Sequence, residues 1–462
     1  MDPLQKALDH QHPVEIPDFP LAEKQRDRKP VPVPTRLIRI AIAILSMCFA
    51  QADWPQFRGP HGDGHYPPRA DGKPHGFPTE WSESKNVVWK TPVTGRAWST
   101  PVVMGDQVWL TNATEDGKKM YAVCLDRNSG RKIHDLLLFE NENPEALGNR
   151  VNGYGSCSPA LDEERVYVHF GSYGTAALDR ATGKVVWQRR DLPCNHFRGP
   201  GSSLALYKDT LILTMDGTDV QYLAALDRKT GKTVWKTDRT TDFGDVEAGG
   251  KIRGDGDFRK AYSTPGFVTV DGRTQLVSPG AKACYGYNAD TGKELWKVTY
   301  KGYSNAASPV FIDGKLAIIN TGFGKPHLIG VRLDGKTTGD VTRSHVEWDI
   351  FKRIPKLSSP VVIDGKIYVT SDMGILSRIH AASGEVEEFI QLGGSFAASG
   401  VFADGLLYLL NEEGETKIVR PGEKMEIVAT NTLDDGFMAS PALAGSELYL
   451  RTRSHVYRIE EK

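Results

Sequence analysis

Cations, amides and aromatic rings gather in short stretches that recur along the chain. Arg96 and Trp98 stand in "GRAWSTP", Asn152 and Tyr154 in "NGYGSCSP", and His196 and Arg198 in "NHFRGPGSS". Lys260 and Tyr262 ("RKAYSTP"), Asn305 ("YSNAASP"), Lys356 ("PKLSSP"), Phe396 ("GGSFAASG") and Phe437 ("DGFMASP") hold the same relation to a Ser- or Thr-containing phrase. Cations beside aromatic platforms suit an anionic or carbohydrate-like ligand, or a peptide segment. These residues form a candidate ligand site if the fold brings them together. The chain contains no GxSxG, no HExxH and no Walker loop, so no catalytic residue is assigned.

Two stretches carry metal-ligand residue types. His61, His65 and His75 cluster with Asp63 and Asp71 in "GPHGDGHYPPRADGKPHG". Imidazole and carboxylate suit a transition metal. Their spacing fits no ordered zinc pattern, and the stretch reads as a Gly/Pro loop. "DGDF" at Asp255 begins like a calcium loop, but its twelfth position is Gly266 where a Glu is required. No metal site is assigned.

The elements that position these residues are repeats. "ALDRATGKVVWQR" from Ala177 returns as "ALDRKTGKTVWKT" from Ala225. Weaker copies begin at Cys124, Tyr287 and Ile379. Each reads as a strand, a polar turn with Ser-Gly or Thr-Gly, and a second strand, with Gly supplying positive φ. A second phrase precedes each copy, as in "STPVVMGDQVWL" at Ser99 and "SPVVIDGKIYVT" at Ser359, and it starts eight times between Ser99 and Ser440. Several of its turns are Asp-Gly, a strong hairpin signal. Two successive hairpins make four antiparallel strands, which is one propeller blade.

The spacing therefore predicts an all-β, eight-bladed β-propeller. After Ser440 the chain supplies only three strands. The fourth is expected from "NVVWKTPV", Asn86 to Val93, so that N- and C-terminal segments pair and close the ring. Trp89, Trp187, Trp235 and Trp296 recur at matching positions and are expected to wedge neighbouring blades together. In such a ring the first strand of each blade lines the channel, which gathers the candidate ligand residues at one mouth. An alternative is that they cap the channel and satisfy loop carbonyls.

Lys plus Arg total 57 and Asp plus Glu total 58, so no concentrated basic surface for nucleic acid is expected. Residues 1–35 are polar and Pro-rich and read as a disordered extension. Residues 36–52, "RLIRIAIAILSMCFAQA", carry positive charge, a short apolar run and a small-x-small end, which reads as a signal peptide cut after Ala52. The alternative is an uncleaved anchor, the one route to a membrane. Residues 53–85 read as an extended segment and 86–462 as the propeller. Cleavage leaves Cys124, Cys157, Cys194 and Cys284, with no adjacent pair and no CxxC. Buried or free thiols are expected.

The "ALDxxTGKxxW" phrase resembles the repeat of the pyrroloquinoline quinone (PQQ)-like β-propellers, and the resemblance runs from about Asn86 to the C-terminus. "WPQFRGPHGDGHYPP" resembles the start of an exported bacterial branch of that family. The superfamily holds quinoprotein dehydrogenases and non-enzymatic envelope scaffolds. The dehydrogenases imply a quinone and Ca²⁺ over the channel, and the alcohol-oxidising ones often a ring of adjacent cysteines. No residue here matches those ligands. The expectation is an exported, monomeric, non-catalytic binding or scaffolding module of the periplasm or cell envelope. Its partner would be an envelope protein or a small polar or anionic ligand, with no cofactor. The alternatives are a PQQ- and Ca-dependent oxidoreductase acting on an alcohol or sugar, and a polymer-processing enzyme using the channel mouth.

Overall fold

Each Ser/Thr-Pro phrase and each Thr-Gly phrase folds as a hairpin, and the two join into a four-stranded antiparallel sheet. The computed structural model describes residues 53–148 and 151–462. The proposed extension and signal segment lie outside the described residues. Among those described, eight such sheets form the ring of an eight-bladed propeller. Blade 1 comprises Val102–Met104, Gln107–Ala113, Lys119–Asp126 and Lys132–Glu140, ordered from the axis outward. Blades 2 to 7 repeat this order. Blade 4 gains a short fifth strand, Gly339–Asp340, which reaches back from blade 5 and pairs in parallel with Glu294–Thr299.

Blade 8 closes the ring as expected. Ala442–Ala444, Glu447–Arg451 and His455–Ile459 supply its inner strands, and Val87–Pro92 pairs antiparallel with the last of them. The Asp-Gly turns at 271–272, 313–314, 364–365 and 404–405 have positive φ at both residues. That is the turn whose twist matches a two-residue hairpin.

Burial follows position in the blade. Gln107–Ala113 is buried throughout, because neighbouring blades cover both its faces. Outer strands such as Thr233–Asp238 alternate exposed and half-buried residues. The tryptophans sit on outer strands and lean toward the next blade. Trp89 Nε1 donates to the Arg127 carbonyl at 2.9 Å, and Trp187 Nε1 to that of Arg228 at 2.9 Å. Trp187 lies flat on Gly231, where a Cβ would come within 2.6 Å of the ring and φ is +71°. Glycine is required there twice over. Trp235 takes the same place over Gly292.

Trp296 differs. It is fully buried in the core that blades 4 and 5 share, and its Nε1 donates to Gln275 of its own blade at 2.8 Å. Gly339 of the Thr338-Gly339 segment in blade 5 pairs with it edge-on in the short fifth strand instead of lying under its ring. Trp348, which the repeat spacing missed, restores the pattern on blade 5, with Nε1 donating to the Ala381 carbonyl at 2.8 Å.

The segment 53–85 crosses the ring on the side of the Asp-Gly turns. Trp54 exchanges backbone hydrogen bonds with Val103 of blade 1, both at 2.9 Å, and Pro55 O accepts from Leu161 N of blade 2 at 2.8 Å. Farther on, Tyr66 N donates to Phe402 O of blade 7 at 3.0 Å, and the Asp404 carboxylate accepts from the backbone of His75, Gly76 and Phe77. The segment thus spans the axis and plugs one end of the channel.

Candidate functional site: a blind cup on the propeller axis

The Ser or Thr of each blade's first phrase forms a belt around the axis. Thr100 N donates to Ser158 Oγ, Ser158 N to Ser203 Oγ and Ser203 N to Thr264 Oγ1, each at 2.9 Å. Ser308 N donates to Ser359 Oγ and Ser359 N to Ser399 Oγ at 2.9 Å, then Ser399 N to Ser440 Oγ at 3.0 Å. A small hydroxyl at this position ties one blade's backbone to the next. The recurring Ser/Thr-Pro spelling signalled the belt, although its role was not read from sequence.

Above the belt lies a cavity of about 390 Å³. Its wall follows strand alternation. Residues two positions before the belt hydroxyl face the axis in every blade: Trp98, Ser156, Gly201, Tyr262, Ala306, Leu357, Ala397 and Met438. Phe57 from the plug also lines it, so the cavity is a cup with a floor and not a through-channel. The wall has two characters. Trp98, Asn152, Arg198, Asp257, Tyr262 and Tyr303 make a polar and aromatic side. Phe323, Leu357, Ala397 and Met438 make an apolar side.

Four of the twelve residues expected at the mouth line this cup: Trp98, Asn152, Arg198 and Tyr262. Asn305, Lys356, Phe396 and Phe437 stand one residue farther from the belt, so the period of two turns them off the axis. Phe396 and Phe437 are buried in blade cores. Asn305 is fully buried and donates to the Asn320 carbonyl at 2.9 Å. Lys356 pairs with Asp372 at 3.3 Å outside the cup. Tyr154 is buried against Tyr173, and its hydroxyl donates to the Glu145 carbonyl at 2.5 Å. Lys260 is fully buried behind Tyr262, its Nζ 5.0 Å from that ring. Arg96 is half-buried and lies outside the cup lining.

The charged centre is a bidentate pair. Arg198 Nε and Nη2 donate to Asp257 Oδ1 and Oδ2 at 2.7 and 3.1 Å, and this pairing holds the guanidinium pKa above its usual value. Asn152 Nδ2 fixes the loop beneath by donating to the carbonyls of Arg198 and Pro200, both at 3.0 Å. Trp98 Nε1 donates to the Val151 carbonyl at 3.0 Å, which holds its ring against the wall. Burial pushes the Tyr262 phenol upward. Asp257 sits in the Arg253–Arg259 turn, the stretch weighed above as a calcium loop. Its role was hidden because its partner lies 59 residues away.

His61, His65 and His75 do not converge on a metal. His61 is exposed, His65 packs edge-on against Phe402, and His75 lies 2.9 Å from the Pro67 carbonyl. Among the described residues no group of three or more His, Cys, Asp or Glu is placed to share an ion. Cys124, Cys157, Cys194 and Cys284 are separate buried thiols.

His196 is buried behind the wall, where Nε2 accepts from Ser172 N at 3.0 Å. His169 is its buried neighbour, with Nδ1 2.8 Å from Thr175 Oγ1. Burial lowers His169 to about 3 and His196 well below 6.5, the latter aided by the Lys260 charge. Their folded values lie below the unfolded one, so below about pH 6.5 the unfolded chain takes up protons that the folded chain refuses. Stability then falls with falling pH, by about 1.4 kcal/mol per pH unit for each histidine. Urea unfolding at pH 7, 6 and 5 checks this. His169→Gln should flatten the slope by about one histidine's share, and parallel slopes would sink the assignment.

The fold and this cup define the molecule as an axial-cup propeller. Its sequence matches the family model described as "Outer membrane protein assembly factor BamB" over residues 79–191, 123–248 and 219–462, and the chain belongs to that PQQ-repeat family. No curated protein matches the sequence. Among solved structures, BamB from Moraxella catarrhalis is similar at 13% identity and a TM-score of 0.54, covering 81% of this chain and 99% of that one. A europium-containing methanol dehydrogenase gives 13% identity and 0.59, with 87% and 90% coverage. Quinohemoprotein alcohol dehydrogenase from Comamonas testosteroni gives 13% and 0.58, with 90% and 82%. At these identities the likeness concerns the fold.

Proposed function

We propose that the chain is an exported, non-catalytic binding module of the cell envelope whose working surface is the axial cup. The observation that carries this reading is the cup's charge economy. Its wall carries one cation and one carboxylate, and each is already satisfied by the other. The lining offers no imidazole and no carboxylate free of a cation to serve as a general base for its hydroxyls. The family's description as an assembly factor supports envelope work by association. Among the described residues no helix is long and apolar enough to cross a membrane, and the proposed export signal lies outside them.

The residues of the cup do not fit PQQ with Ca²⁺. Calcium takes about six to eight oxygen ligands, and Asp257, the one carboxylate in the lining, is held bidentate by Arg198. The carboxylates of the quinone would call for several free cations. The experiment is a titration of the full chain with PQQ and Ca²⁺, read by Trp fluorescence and by dye reduction with simple alcohols and sugars. No saturable binding and no turnover are expected. Saturable binding with turnover would replace this reading by a quinone-dependent oxidoreductase.

A further inference from the structure

We infer that the cup binds a neutral saccharide, entered end-on from the mouth. This rests on the binding-module reading and names its ligand class. The first argument is charge. Arg198 and Asp257 cancel, and no other charged side chain lines the cup. An anion would have to break a bidentate pair to gain its cation, whereas a neutral ligand can use the pair intact.

The second argument is the supply of hydrogen-bonding groups. Arg198 Nη1 makes no hydrogen bond among the described residues, and Asn152 donates through Nδ2 while its Oδ1 accepts nothing. The belt adds donors. Ser158, Ser203, Thr264 and Ser440 accept a backbone N–H each, and among the described residues their own O–H groups donate to no acceptor. A ring of fixed donors with a few acceptors suits a ligand rich in hydroxyl and ether oxygens.

The third argument is shape. Trp98, Tyr262 and Tyr303 stand on the polar side, and Phe57 forms the floor. A pyranose has apolar C–H faces that pack on aromatic rings while its edge makes hydrogen bonds. At about 390 Å³ the cup lies at the small end of ligand pockets. Because the plug closes the floor, a polymer cannot thread the axis. Free sugars and chain ends are admitted, and internal segments are not.

The test uses the full chain with cellobiose, maltose and N,N′-diacetylchitobiose as neutral probes and glucuronate as the anionic one. Binding is followed by saturation-transfer NMR and Trp fluorescence. At least one neutral disaccharide should bind saturably. Asn152→Ala and Asp257→Asn should each weaken it at least about tenfold, as loss of a ligand hydrogen bond at a charged pair implies. Thermal unfolding of each variant is measured alongside, and Trp98→Ala gives an independent loss through packing. The inference is overturned if none of the neutral probes binds, if glucuronate alone binds, or if folded variants bind as well as the parent. Adding PQQ, Ca²⁺ and dye to the same samples separates the two readings. Oxidation of a bound sugar removes the non-catalytic reading and keeps the ligand class, while no sugar binding and no turnover removes the ligand class alone.

Discussion

Glu447→Ala should cost about 3–5 kcal/mol of folding free energy. Glu447 lies in the seam where the ring closes. Its Oε2 accepts from Arg127 Nε at 2.7 Å and its Oε1 from Arg458 Nη2 at 2.6 Å, while the Tyr449 hydroxyl donates to it as well. All three charged side chains are at most 10% exposed. Arg127 belongs to blade 1 and Glu447 to blade 8, so the carboxylate bridges the first and last blades. Arg127 also donates to the carbonyls of Gly105 and Ala444, which leaves it little freedom to turn to water. Removing Glu447 strips the buried Arg127 of its carboxylate partner and leaves Arg458 with Glu460 alone, 2.7 Å from its Nη2. Urea denaturation measures the effect, and a loss below about 1 kcal/mol would show that the seam relaxes and hydrates. The same change should open the ring first at its terminal strands. Hydrogen exchange would then speed up in Val87–Pro92 and His455–Ile459 before the other blades.

The ring was legible because its signals are local. An Asp-Gly turn declares a hairpin within four residues, and the Thr-Gly phrase places a tryptophan four residues past its glycine. Even ring closure followed from local evidence, since a blade with three strands lacks one. The cup was less legible. Sequence placed the right loops at the mouth, but it could not say which residue of each loop faces the axis. That choice rests on the register of the first strand, and a one-residue slip sends Phe396, Phe437, Asn305 and Lys356 off the axis in favour of Ala397, Met438, Ala306 and Leu357. The belt hydroxyl would have fixed the register, because the same parity that points it inward points the residue two before it inward too.

Cations misled for a related reason. Arg198, Lys260 and Lys356 read as free positive charge, yet each finds a partner supplied from elsewhere in the fold: Asp257, the Asp216 carbonyl and Asp372. Unpaired charge is rarely kept beside a partly buried surface, so a cation in a loop predicts a nearby carboxylate as readily as an anionic ligand. Of the ligand classes weighed from sequence, anionic, carbohydrate-like or peptide, the paired charges favour the carbohydrate-like one proposed here.

The plug provides the second large effect. Arg58→Ala should lower stability by about 3–5 kcal/mol and open the floor of the cup. Arg58 is 1% exposed and has no carboxylate bonded to it, and burial pulls its pKa down to about 10. Its guanidinium instead gathers backbone carbonyls. Nε donates to Gly62 O at 3.2 Å, and Nη2 donates to Asp63 O at 2.6 Å and Pro360 O at 2.7 Å. The first two contacts curl the segment around the side chain, and the third pins it to the start of blade 6. Truncation leaves the buried Pro360 carbonyl and the part-buried Gly62 and Asp63 carbonyls without their donor, at about 1–3 kcal/mol for a fully buried acceptor before relaxation. Arg58→Lys should recover only part of the loss, since an ammonium cannot span the same carbonyls in one plane. Phe57 is the neighbouring residue, so releasing Arg58 also releases the floor. Limited proteolysis should then cut between residues 53 and 66 while the blades stay protected. Saccharide affinity should fall with it, because the aromatic floor is lost without any change in the wall. An Arg58→Ala protein that keeps its stability and its resistance to proteolysis would mean that the plug is held by Trp54 and Tyr66 alone, and that the floor is set by the strand pairing at Val103 and Phe402 and not by the buried cation.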